Sequence, residues 1–147
     1  MSNLAASNES IQSASRWPTW TGRALSVLVI LFLVMDAGMK IAALPIVTES
    51  AVMIGWTADP GFWRAMGLLL LAITALYAWP RTAVLGAILL TGYLGGAVAT
   101  HLRMSDPLFS HTLFGVYLGI ALWGGLWLRD ARVRNLLPLS RVRDVEA

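Results

Sequence analysis

The sequence predicts an all-α, integral membrane fold: a bundle of four transmembrane helices with both termini on the cytoplasmic side. Three observations predict it. The chain is 57% hydrophobic and only 13% charged. Four apolar segments each approach the roughly 20 residues that a bilayer core requires, and basic residues gather beside one set of segment ends. A chain of 147 residues with this composition has more apolar surface than one soluble core can hide. Lipid must cover the rest, which leaves one domain and no room for a soluble catalytic module.

Residues 1–22 carry Ser2, Asn3, Ser7, Asn8, Glu9, Ser10 and Gln12 and read as a disordered cytoplasmic tail. The apolar stretch that follows is too long for a signal peptide and lacks a small-residue cleavage site, so the first span is expected to stay in the mature protein. The domain of four spans covers residues 23–128, with spans at about 23–44, 61–79, 83–102 and 108–128. Pro45 closes the first span. Residues 45–60 mix Glu49, Trp56 and Asp59 with Val47, Val52, Met53 and Ile54, as suits an interfacial turn of helix or a lid over a site. Pro80, Arg81 and Thr82 form so short a joint that spans two and three must be antiparallel neighbours. Residues 129–147 form a basic cytoplasmic tail.

Spans two and four open alike, with Asp59-Pro60-Gly61-Phe62 and Asp106-Pro107-Leu108-Phe109. A carboxylate there accepts free backbone N–H groups, and proline has no N–H to leave unpaired. Tyr93-Leu94-Gly95 and Tyr117-Leu118-Gly119 echo each other too. A repeated helix pair explains these likenesses, and so do shared caps and chance.

Orientation follows from the arginines. Arg16, Arg23, Arg81, Arg129, Arg132, Arg134, Arg141 and Arg143 lie beside one set of ends, Arg64 and Arg103 beside the other, and the basic side is normally cytoplasmic. The basic tail then suits topology and anionic headgroups better than nucleic acid. Trp17, Trp20, Tyr77, Trp79 and Trp127 mark the cytoplasmic aromatic belt, Trp56 and Trp63 the other, while Trp123 sits deeper and belongs to packing. Cysteine is absent, which removes disulfides, thiolate nucleophiles and cysteine-bound clusters.

Small residues crowd the last two spans. Gly92 with Gly96, and Gly115 with Gly119, have the four-residue spacing that lets helices approach closely in lipid. No strand precedes them, so no nucleotide-binding fingerprint is present.

The candidate polar site is a layer near the outer face comprising Asp36, Lys40, Arg64, His101 and His111, with Arg103 and Asp106 beside it. Charge in hydrocarbon is costly without a partner or water, which makes such a layer a site hypothesis. Asp36 and Lys40 are four apart on one helix face, about 20 and 26 Å along the helix from Arg23. Either Lys40 snorkels outward with Asp36 as counter-ion, or Asp36 binds or relays a proton in a cavity tuned by Lys40 and Arg64. His101 and His111 reach similar depth through a short joint. With two histidines in the chain and no compact ligand motif, no metal site is predicted; interfacial hydrogen bonding, or contact with the polar head of a quinone or lipid, fits better. Arg103 and Asp106 are expected to pair or cap at the surface. Thr91 and Tyr93 are expected to bond across helices.

The run from Arg81 to Arg103, RTAVLGAILLTGYLGGAVATHLR, resembles the DoxX-like family of small membrane proteins. So do Asp106-Pro-Leu-Phe-Ser-His111, the ending Trp-Gly-Gly-Leu-Trp-Leu-Arg-Asp130, and Met35-Asp-Ala-Gly-Met-Lys40 in the first span. The resemblance covers roughly residues 25 to 130 and implies a four-helix bundle of the bacterial inner membrane. The family takes its name from a subunit of a thiosulfate:quinone oxidoreductase, and some relatives are associated with membrane redox complexes. Two functions are therefore expected: a noncatalytic subunit or scaffold of a membrane complex, or a quinone- or lipid-binding oxidoreductase component. A small-solute transporter is a third and would need oligomerisation. A quinone is the cofactor the resemblance suggests, with nothing bound covalently. The bilayer is the first partner, followed by another membrane protein or a second copy, and not nucleic acid.

Overall fold

The computed structural model describes residues 17–136, and helix is the only regular structure among them. The elements are α1 (Trp17–Ile41), α2 (Pro45–Met53), α3 (Pro60–Ala78), α4 (Ala83–Arg103), a π-helical turn (Leu108–Thr112), α5 (Phe114–Arg129) and α6 (Ala131–Leu136). Four spans, Thr19–Ile41, Pro60–Ala78, Ala83–Arg103 and Leu108–Arg129, are long and apolar enough to cross a membrane. The protein is a small all-helical membrane protein.

Each span buries one stripe. Gly22, Ser26, Val29, Leu33 and Ala37 are buried on α1; Trp63, Gly67, Leu70, Thr74 and Tyr77 on α3; Ala83, Ala87, Leu90 and Leu94 on α4; Leu118, Leu122 and Leu126 on α5. Steps of three and four residues keep a stripe on one side of a helix, the pattern of antiparallel bundles. The other sides stay apolar and exposed, as at Leu28, Leu31, Leu68, Ile88 and Ile120, where lipid takes the place of protein. α1 packs chiefly on α3 and α5, and α4 on the same two, so α1 and α4 face each other across the diagonal.

Two ends result. The terminal end holds the start of α1, the α3–α4 joint and α6; the distal end holds α2, the segment before Pro60 and the α4–α5 joint. At the terminal end the chain is closely packed. A Cβ on Gly22 would meet Leu128 Cβ at 2.7 Å and the Arg129 nitrogen at 2.8 Å, one on Gly125 would meet Ser26 Oγ at 2.7 Å, and one on Gly86 would strike the backbone of Leu76 and Tyr77.

This packing explains where expectation and structure part. α1 begins at Trp17 instead of Arg23, so residues 17–22 belong to the bundle and not to a tail, because Gly22 seats that first turn on α5. The rest of the predicted N-terminal tail lies outside the described residues, as do the last eleven residues of the C-terminal one, 137–147. The described part of the latter folds into α6, anchored by the buried Val133. Tyr77 is no belt residue but fully buried. Its hydroxyl donates to the Leu122 carbonyl at 2.8 Å and lies 3.1 Å from Ser26 Oγ, while Arg129 donates to the Tyr77 carbonyl at 3.2 Å and stacks on its ring.

Candidate functional site

The distal end is built differently. α1 stops at Ile41, Ala43 turns the chain at φ 48°, and Pro45 starts the short helix α2. Ile46, Val52 and Met53 on α2 are exposed and apolar. Gly55 adopts φ +78°, a conformation natural to glycine, and Arg103 on α4 donates to the neighbouring Ile54 carbonyl at 3.1 Å. Asp59 caps α3 by accepting from the Gly61 and Phe62 backbones at 3.2 and 2.9 Å. Its sequence counterpart Asp106 does not cap: the turn at Leu108–Thr112 has no side-chain cap, and Asp106 instead accepts from His101.

Between α1, α4 and the start of α5 these pieces enclose a cavity of about 460 Å³. Asp36, Lys40, His101 and His111 all line it. Lys40 Nζ donates to both carboxylate oxygens of Asp36 at 2.5 Å, and the two side chains are only 14% and 26% exposed. Lys40 thus lines the cavity with Asp36 as its counter-ion. His101 Nδ1 lies 2.6 Å from Asp106 Oδ2, and the His101 and His111 rings are 6.2 Å apart. Ser110 Oγ sits 2.8 Å from His111 Nδ1. Among the described residues no three of His, Cys, Asp and Glu converge as metal ligands.

The walls are aromatic. Trp56 stacks on Phe62 with ring centroids 5.6 Å apart and meets Trp63 edge-on at 6.5 Å. Trp63 is buried and donates to the Thr57 carbonyl at 2.8 Å, so it braces the roof and is not a membrane anchor. Phe32 and Phe114 pack 5.3 Å apart below.

Arg64 does not join the site. It is exposed and is not among the cavity-lining residues, because α3 turns Trp63, Met66 and Gly67 inward and Arg64, about 100° round the helix from Trp63, falls off that face. The glycines also need correction. Gly115 packs tightly, 2.9 Å from Val98 and 3.2 Å from the Leu94 carbonyl for an added Cβ, but Gly92, Gly96 and Gly119 meet nothing within 4 Å. Gly92 and Gly96 open into the cavity, and Gly119 lies in a second, outward groove of about 420 Å³ between α4 and α5. The close helix contacts fall at Gly22, Gly67, Gly86 and Gly125 instead.

Tyr93 lines the cavity, contrary to the expected bond across helices, whereas Thr91 does receive such a bond from Trp123 Nε1 at 2.9 Å. Reading the sequence missed Phe32, Tyr93, Trp56 and Trp63 as cavity walls. The signal was present in Gly92 and Gly96, which leave α4 without bulk along the cavity.

The arrangement has room for a flat, largely apolar group beside the rings, with paired carboxylate, ammonium and imidazole groups along the lining. No curated protein and no solved structure matches the chain. Residues 24–125, which include every wall residue named here, match the sequence model of the DoxX-like family. The chain belongs to the DoxX-like family.

Proposed function

We propose that this protein binds a lipidic molecule with a ring-shaped polar head, of the quinone class, in the distal cavity, and that it serves as a component of a membrane redox complex. The observation that carries this reading is the cavity itself. Its volume of about 460 Å³ and its walls of Trp56, Trp63, Phe32 and Tyr93 suit a substituted ring, while the rim supplies Asp36–Lys40 and the two imidazoles. We place the chain in a bacterial inner membrane with both termini cytoplasmic and the cavity toward the outer face, on the arginine asymmetry between the two ends.

The test is native mass spectrometry of protein extracted gently from its own membrane, with released small molecules identified. A stoichiometric lipidic ring compound, displaced by Gly96→Leu, is the expected result. A bundle free of small molecules at every extraction condition would overturn the reading.

A second reading, a noncatalytic subunit or scaffold, draws on the outward groove lined by Gly95, Val116, Gly119 and Ile120. It is favoured if the same extraction yields a stoichiometric membrane protein and no ligand.

A further inference from the structure

Asp106 is absent from the cavity walls, yet it grips a residue that lines them. A carboxylate only accepts, so the 2.6 Å contact between Asp106 Oδ2 and His101 Nδ1 requires the imidazole to donate from Nδ1. In the neutral ring this leaves the lone pair on Nε2. Nδ1 is taken up by Asp106, which is not among the lining residues, whereas His101 is, so Nε2 is the ring nitrogen left for a molecule in the cavity. The fold invests in this contact. Asp106 gives up the capping role its Asp-Pro setting suggests, the turn after it starts without a side-chain cap, and Ser105 takes a left-handed φ of 58° to bring the carboxylate back onto α4.

We infer that His101 is a fixed hydrogen-bond acceptor of the cavity, with Asp106 as its positioning residue, and that the ligand it selects carries a ring hydroxyl. This rests on the ligand-binding reading above and narrows it to lipid-soluble phenols, hydroquinones included. Three features agree with that class. Phe32, Tyr93 and Trp56 offer flat apolar contact to the ring. His101 Nε2 accepts the hydroxyl hydrogen. Lys40 is engaged at both Asp36 oxygens, so the other rim pair is already internally neutralised and does not call for a charged head.

The experiment compares two probes of nearly equal size, 4-hexylphenol and its methyl ether 4-hexylanisole, titrated against the detergent-solubilised full chain by tryptophan fluorescence. The native protein should bind the phenol about tenfold more tightly than the ether, the worth of one satisfied hydrogen bond. Asp106→Ala should bring the two within about twofold. Equal binding of both probes to the native protein would overturn the inference while leaving the ligand-binding reading to its own test on native membranes. Failure of both probes to bind would overturn it too, and a ring compound recovered from membranes would still stand. A second measurement leaves the His101–Asp106 pair intact. The chain has two histidines, so ¹⁵N-histidine spectra at alkaline pH contain two imidazoles, told apart by His111→Gln. Protonation of His101 at Nδ1 is expected, and protonation at Nε2 contradicts the assignment.

Discussion

The terminal and distal ends of this bundle use the same residue types to opposite purpose. At the terminal end glycines vanish into contacts: Gly22, Gly86 and Gly125 let backbones touch, and Ser26, Tyr77 and Arg129 tie three helices together. At the distal end Gly92 and Gly96 face open space, and polar groups pair within or between adjacent elements, Asp36 with Lys40 and His101 with Asp106. One end is sealed and the other is hollow. The difference teaches that a small residue in a membrane helix is a statement about distance only when a neighbour is present; without one it creates volume.

The sharpest way to break the comparison is to add one carbon at each end. Gly86→Ala drives a Cβ into the Leu76–Tyr77 backbone and should cost about 3 kcal/mol, seen as loss of monodisperse protein or a large fall in thermal midpoint. Next comes the rim pair. Asp36→Asn or Lys40→Met alone leaves a partly buried partner uncompensated, for about 2 kcal/mol. If the pair is purely structural, the double substitution restores stability and ligand retention together; we expect it to restore stability alone, as read by thermal unfolding beside native mass spectrometry. Tyr77→Phe removes the bonds to Leu122 and Ser26 and should cost about 1 kcal/mol, with the distal cavity unaffected. Gly96→Ala meets nothing within 4 Å, so the thermal midpoint should stay put while ligand occupancy falls.

The smallest effect lies at α6. A hydrogen bond from the Arg132 side chain, aided by the Arg132 backbone, holds the Asp130 carboxyl below the usual carboxylate range. Its folded value lies under its unfolded one, so its contribution is present above the ordinary carboxylate range and is lost as pH falls through the lowered value. The Arg132 amide, bonded to Asp130 Oδ1 at 2.9 Å, should shift in NMR spectra over that acidic window while Tyr77 does not move.

Much of this architecture was legible in one dimension. Length and hydropathy mark the spans, and proline with aspartate marks the start of α3. Spacing also brings Asp36 to Lys40 and brings the two histidines to one depth, and all four line the cavity. What was not legible is rotational phase. Arg64 shares the depth of the site yet is exposed and does not line it, while Tyr77 looks like an interfacial residue yet is fully buried. The glycine pairs have the right period for packing, but which side of α4 meets a neighbour depends on contacts with α3 and α5 that no single segment encodes. The stripe of Gly22, Ser26, Val29, Leu33 and Ala37 on α1 is buried at steps of three and four, but exposed neighbours such as Leu28 and Leu31 are equally apolar, so its phase is not marked in the sequence either.

The π-helical turn at Leu108–Thr112 gives the fourth span a hidden adjustable joint. A π turn is an α-helix with one residue to spare. Deleting a single residue there would let the span run on as regular α-helix, and everything before the deletion would swing by about 100° around the axis. His111 would leave the rim, the joint from α4 would have to reach a displaced start of the span, and composition, length and hydropathy would scarcely change. The angular setting of the rim therefore hangs on an insertion one residue long.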